Sequence, residues 1–178
     1  MSSHPMNQVI RFLIQGPGAL RSRVATVAVS LLALAGTAML VWSGVIHLML
    51  WADGYRDIAT IGPLFLAQGI GCIALGLVVM VFRWLALLAA GAVTLAATAV
   101  GLLVSVHVGL LGYRESLAVP YATLSLQVEF TGAAVLLVGA ILLAVAPSGK
   151  TAERVDDLRG NQHKPGDPGN PSPAPFRT

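Results

Sequence analysis

Charge is what this sequence has least of. Only 11% of its 178 residues are Asp, Glu, Lys or Arg, against about 25% in soluble domains; with a mean hydropathy of +0.77, that shortage excludes an ordinary water-soluble domain. Cysteine is nearly absent as well. The single one, Cys72, sits inside an apolar run, so neither an intrachain disulfide nor a cysteine-based metal site is available. The formal charge of +3 comes with no basic stripe interleaved with aromatics, so nucleic acid is not an expected partner. No nucleophile stands beside a base in the pattern a hydrolase needs, so no catalytic residue is assigned and a non-enzymatic role is expected.

What the chain does have is long apolar runs. A helix rising about 1.5 Å per residue needs roughly 18 or more apolar residues to cross a hydrocarbon core about 30 Å thick. Four stretches meet that requirement, residues 24–51, 61–82, 84–111 and 121–146, and Glu129 is the only formally charged side chain inside them. Nine basic residues (Arg11, Arg21, Arg23, Arg83, Lys150, Arg154, Arg159, Lys164 and Arg177) fall on one side of the resulting topology, and Arg56 and Arg114 on the other. The positive-inside rule then predicts a multi-pass cell-membrane protein with both termini in the cytoplasm. Trp51, Trp84, Tyr55, Tyr113 and Tyr121 fall near the predicted interfaces, where amphipathic rings are favoured.

Residues 1–23 form a cytoplasmic N-terminal segment whose patch Val9–Ile14 is short but suited to the headgroup layer. Residues 147–178, rich in Pro, Gly, Asn and Ser, are expected to be a disordered cytoplasmic tail with one helical turn near 152–158. The Ser148–Thr151 stretch resembles the end of a phosphate-binding loop, but Ala144 replaces the first glycine and a membrane span replaces the strand. A cleaved signal peptide, with Val24–Leu32 as its apolar region, is disfavoured: its basic region would be unusually long, and cleavage would remove the span that matches the third one.

One order of residues occurs twice. His47, Gly54-Tyr55-Arg56-Asp57, Pro63 and Gln68 are matched by His107, Gly112-Tyr113-Arg114-Glu115, Pro120 and Gln127, at offsets of 60, 58, 57 and 59 residues. With two spans per unit, each copy starts on the same side of the membrane, a parallel repeat about an axis along the membrane normal. The predicted fold is therefore all-α, a transmembrane four-helix bundle of two tandem hairpins over residues 24–146. The prolines suit a first helical turn. Each loop Arg can pair with the acid that follows it, or fold over the bundle mouth toward Glu129. Small residues four apart (Ala67 and Gly71, Cys72 and Gly76, Ala97 and Gly101) allow close helix approach.

Five polar side chains, His47, Gln68, His107, Gln127 and Glu129, are expected at one level of the bundle. Glu129 lies eight residues past Tyr121, about 12 Å below the boundary, where an ionised carboxylate must face the interior, find a donor or stay protonated. On α-helical geometry Thr123, Gln127 and Thr131 form one stripe and Ser125, Glu129 and Gly132 another, so the two cannot face the same neighbour. The plainest reading is an interhelical hydrogen-bonded lock, worth roughly 0.6 to 2 kcal/mol per bond. Three sharper ones are haem b ligated by His47 and His107, a quinone or other lipid-soluble ligand held by His and Glu, and a proton path through Glu129.

The passages GYRDIATIGPLFLAQ and GYRESLAVPYATLSLQVEF resemble a family of small four-helix bacterial membrane proteins without an assigned activity, over roughly residues 35–145. More distantly, they are similar to DoxX-type four-helix membrane proteins, some of which are tied to quinone-linked redox chemistry. The resemblance implies the fold. The leading functional expectation is an accessory or assembly component of a membrane complex, with other membrane subunits or further copies of the chain as partners. A haem- or quinone-binding redox protein and a small proton-linked transporter are the alternatives.

Overall fold

The four apolar runs become four helices. The computed structural model describes residues 23–145 and, ahead of them, Met6, Asn7, Val9, Ile10 and Leu13, which are helical and exposed. The expectations for the tail 147–178, its helical turn and the rest of the N-terminal patch lie outside the described residues. The helices are α1 (Arg23–Ala52), α2 (Ile61–Val81), α3 (Leu85–His107) and α4 (Ala122–Val145), with a short 3-10 turn at Tyr55–Asp57. Among the described residues there is no strand, only an isolated bridge between Leu110 and Tyr113. All four helices are long and apolar enough to cross a membrane. The chain is an all-α four-helix bundle and a multi-pass membrane protein.

Three helix ends agree with the apolar runs to within a residue or so, but α3 stops four residues before Leu111. Its apolar run continues through Leu110 and Leu111, but Gly109 at φ +93° takes the chain out of the helix, where a residue without Cβ has no steric penalty. Val108 and Gly109 both donate their N–H to the Val104 carbonyl, at 2.9 and 3.0 Å. The first-turn assignment for proline holds for Pro63, third residue of α2, and not for Pro120. Tyr121, at φ +68°, interrupts the chain between Pro120 and α4.

The helices are not packed evenly. α1 packs extensively on α2 and α4, and α3 on α4, whereas α2 and α3 touch sparsely. Glycines close the tight seams. A Cβ on Gly132 would lie 2.6 Å from Leu95 Cδ1 and 2.7 Å from Met39 Cβ, and one on Gly44 would lie 2.7 Å from the Gly69 carbonyl oxygen. Leu136, fully buried, occupies the space left by Gly36 and Gly91. Thr37 Oγ1 donates to the Gly76 carbonyl at 3.2 Å, tying α1 to α2.

Only one of the small-residue pairs behaves as expected. Cys72 and Gly76 are buried against α1, while Ala67 and Gly71 lie on the exposed face of α2. Ala97 and Gly101 border a cavity, and a Cβ on Gly101 would meet nothing within 4 Å. Spacing specifies how small residues line up, not which face the neighbour occupies.

Gly132→Ala therefore forces a core displacement, with an expected loss of about 1–3 kcal/mol. Gly71→Ala, with open space and a helical backbone, should gain about 0.5–1 kcal/mol from reduced chain entropy. Reversible unfolding in mixed micelles measures both.

Candidate functional site

Glu129 is the fixed point of the site. It lies seven residues into α4, about 10 Å from the start of the helix, and its relative exposure is 0%. Ser125, one turn earlier on the same face, donates Oγ–H to Glu129 Oε1 at 2.8 Å. From α1, Ser43 donates to the same oxygen at 3.3 Å. The second oxygen, Oε2, is buried and has no hydrogen-bond partner. An unmatched buried polar atom costs roughly 1–3 kcal/mol.

Glu129 is among the residues lining a cavity of about 530 Å³, within the roughly 300–1,000 Å³ range of small-molecule sites. The cavity occupies the loosely packed α2–α3 seam at the end of the bundle that carries both Gly-Tyr-Arg loops, and its lining is mainly apolar. His47 and Gln68 line it with Glu129. The His47 ring is buried, tilted against Phe65 at 5.2 Å between centroids. Its Nδ1 lies 2.8 Å from the Ser43 carbonyl; a carbonyl only accepts, so Nδ1 is the donor and the neutral ring keeps Nε2 as acceptor. Gln68 Nε2 donates to Thr98 Oγ1 across the seam and to Cys72 Sγ at 3.2 Å. Thr98 Oγ1 donates in turn to the Thr94 carbonyl at 2.8 Å.

The two loops meet over the cavity. Tyr55 Oη donates to Glu115 Oε2 at 2.7 Å, and the Tyr55 ring stacks on Phe65 at 4.7 Å and meets Tyr113 edge-on at 5.9 Å. Burial, and then the hydrogen bond to Glu115, push the Tyr55 phenol well above its ordinary pKa.

Two of the five expected polar side chains are not part of the cluster. Gln127 is exposed with Thr123 and Thr131 on the outer face of α4, because two residues along a helix turn a side chain about 200° away from Glu129. His107, the last residue of α3, is exposed, with Nδ1 2.8 Å from the Leu103 carbonyl. His47 and His107 therefore do not face one cavity, as a bis-histidine haem requires. The loop arginines do not reach Glu129 either. Arg56 lies 3.7 Å from Asp57 in an exposed pair, of a kind worth about 0–1 kcal/mol. Arg114 donates to the Val106 and His107 carbonyls at 3.2 and 3.0 Å, capping the end of α3.

Three participants had not been singled out for this role: Ser43, Thr98 and Glu115. Thr94 and Thr98, a polar pair one turn apart within an apolar span, were the available signal for Thr98, and Ser43, one turn before His47, shares its face. Comparison with protein families, curated proteins and solved structures finds no match. The functional reading accordingly rests on the geometry.

In an alkaline titration followed by tyrosinate absorbance, the Tyr55 phenol should ionise well above the ordinary phenol range, and Tyr55→Phe should remove that late component. Because folding favours the protonated phenol, its contribution to stability is complete below about pH 10 and declines as pH rises above that value.

Proposed function

We propose that this protein binds a lipid-soluble ligand with a quinone-type head in the α2–α3 cavity, with Glu129 as its polar anchor. The observation that carries this reading is that Glu129, a residue lining the cavity, keeps one carboxyl oxygen, Oε2, buried without a hydrogen-bond partner. A carboxylate there accepts from a quinol hydroxyl, and a carboxylic acid donates to a quinone carbonyl, so both redox forms find a complement. His47 Nε2 and Gln68 offer further polar contacts at the same level, and apolar walls exclude water from the head.

The same proposal places the protein in the cell membrane with the Gly-Tyr-Arg loops outside and the termini in the cytoplasm, on the asymmetry of its basic residues. It treats the hairpins as tandem copies. Left-handed non-glycine residues, Thr60 at φ +71° and Tyr121 at φ +68°, stand immediately before α2 and α4, and both loops contribute a tyrosine to one contact.

Binding of decylubiquinone to protein in lipid nanodiscs tests the reading. Glu129→Gln should weaken it at least tenfold, about 1.4 kcal/mol or more, and Gln127→Ala should leave it unchanged. Equal affinity in wild type and Glu129→Gln, both folded, rejects the assignment.

A second reading, an accessory subunit of a membrane complex, is favoured by the exposed stripe Thr123, Gln127 and Thr131, since polar side chains toward lipid are typical of helix–helix contacts. Cross-linking from Gln127→Cys in native membranes should capture a stable partner; a product no different from that of an apolar-face position argues against this role.

A further inference from the structure

Resting on the quinone-type reading of the head site, we infer that the head is held as a hydrogen-bond donor, so that the reduced form, a quinol, is the preferred ligand. The polar groups concerned lie together. Gly132 packs on Leu95 and Gly91 on Leu136, which sets Glu129 level with Thr98 on the neighbouring helix. Gln68 is bonded to Thr98, and Ser43 joins Glu129 to His47, one through its hydroxyl and the other through its carbonyl. His47, Gln68 and Glu129 all line the cavity.

Two backbone carbonyls decide what these groups have left to offer, because a carbonyl oxygen only accepts. The Ser43 carbonyl takes the Nδ1 proton of His47, and Nε2 of the neutral ring remains an acceptor. The Thr94 carbonyl takes the one hydroxyl proton of Thr98. The Gln68 atom beside Thr98 Oγ1 must then be the amide nitrogen, whose other contact is Cys72 Sγ at 3.2 Å. Gln68 Oε1 is what remains. On Glu129 the hydroxyls of Ser43 and Ser125 meet Oε1, and Oε2 has no partner. The groups left over are thus Glu129 Oε2, His47 Nε2 and Gln68 Oε1, which in the ionised site are three acceptors. The hydroxyls of Thr94, Ser105 and Tyr113 also line the cavity, but each rotates to donate or accept and so favours neither form.

A quinone brings only carbonyl acceptors. Protonated Glu129 donates to one of them, while His47 Nε2 and Gln68 Oε1 stay without a donor and lose their water, at the cost that unmatched buried groups carry. A quinol brings two hydroxyl protons, one for Glu129 and one for His47 or Gln68. Tighter binding of the reduced form raises the midpoint potential of the bound couple, by about 30 mV for each tenfold in affinity when two electrons are exchanged.

Decylubiquinol and decylubiquinone, compared anaerobically in nanodiscs with affinities referred to ligand in the membrane phase, test the assignment. Wild type should bind the quinol at least tenfold more tightly, and a redox titration should place the bound couple about 30 mV or more above its midpoint in protein-free nanodiscs. His47→Phe, which keeps a ring beside Phe65, and Gln68→Met each remove one acceptor. The quinol preference should fall at least threefold in each, whereas a merely structural loss weakens both forms alike and leaves their ratio unchanged. Gln127→Ala should keep the wild-type ratio. Equal affinities or a tighter quinone in wild type, or a ratio unchanged in both acceptor variants, overturns the donor assignment and leaves the head site standing. If neither form binds wild type, the quinone-type reading fails, and the donor assignment is decided by 4-propylphenol and 1-fluoro-4-propylbenzene, which differ in a single hydroxyl. A phenol bound at least tenfold more tightly supports it; equal binding, or binding of neither, overturns it.

Discussion

A carboxyl group about 10 Å inside an apolar helix bundle must be matched by donors or it weakens the fold. Here the match is half made. Ser43 and Ser125 bring hydroxyls from two helices to Glu129 Oε1, and Oε2 is left buried without a partner. Holding the carboxyl in that position requires α1 and α4 to be close enough for Ser43 to reach it. The glycines that close the α1–α4 seam, Gly36 and Gly132, are thus a precondition of the site as well as of the core.

The same close packing explains where the cavity lies. Four helices of similar length can bury only so much surface. With α4 drawn against both α1 and α3, and α2 against α1, the α2–α3 seam is the one left loose. Across it the hydrogen bond from Gln68 to Thr98 is a local tie, and the loop contacts of Tyr55 with Glu115 and Tyr113 are another. These ties hold the seam at two levels, and the cavity runs from the loops past the inner one to Val93. Tight packing on one side of the bundle and an open, polar-ended groove on the other follow from one distribution of small residues.

The sequence made the helices plain because nothing except a membrane span explains four apolar runs of that length with a single charged side chain among them. The shared end of the two Gly-Tyr-Arg loops was also readable, from repeat order and span parity. Within the site, helical phase correctly separated Ser125 and Glu129 from Thr123, Gln127 and Thr131. It did not give the tilt and spacing between helices, so His107 was expected beside His47 and lies outside. Gly101 and Gly76 look alike as letters, each four residues after a small neighbour, yet one borders empty space and the other fits against α1. The end of α3 was missed because hydropathy counts Leu110 and Leu111 as span, while backbone geometry at Gly109 ends the helix.

The central claim is that the free half of the Glu129 carboxyl is completed by a ligand head. Ligand-minus-apo infrared difference spectroscopy in the carboxyl and carboxylate stretching regions, with bands assigned by their loss in Glu129→Gln, addresses that group directly. The account predicts a Glu129 band that shifts when decylubiquinone is added and is absent from the variant's difference spectrum. A difference spectrum in which wild type and Glu129→Gln are superimposable at saturating ligand would contradict it.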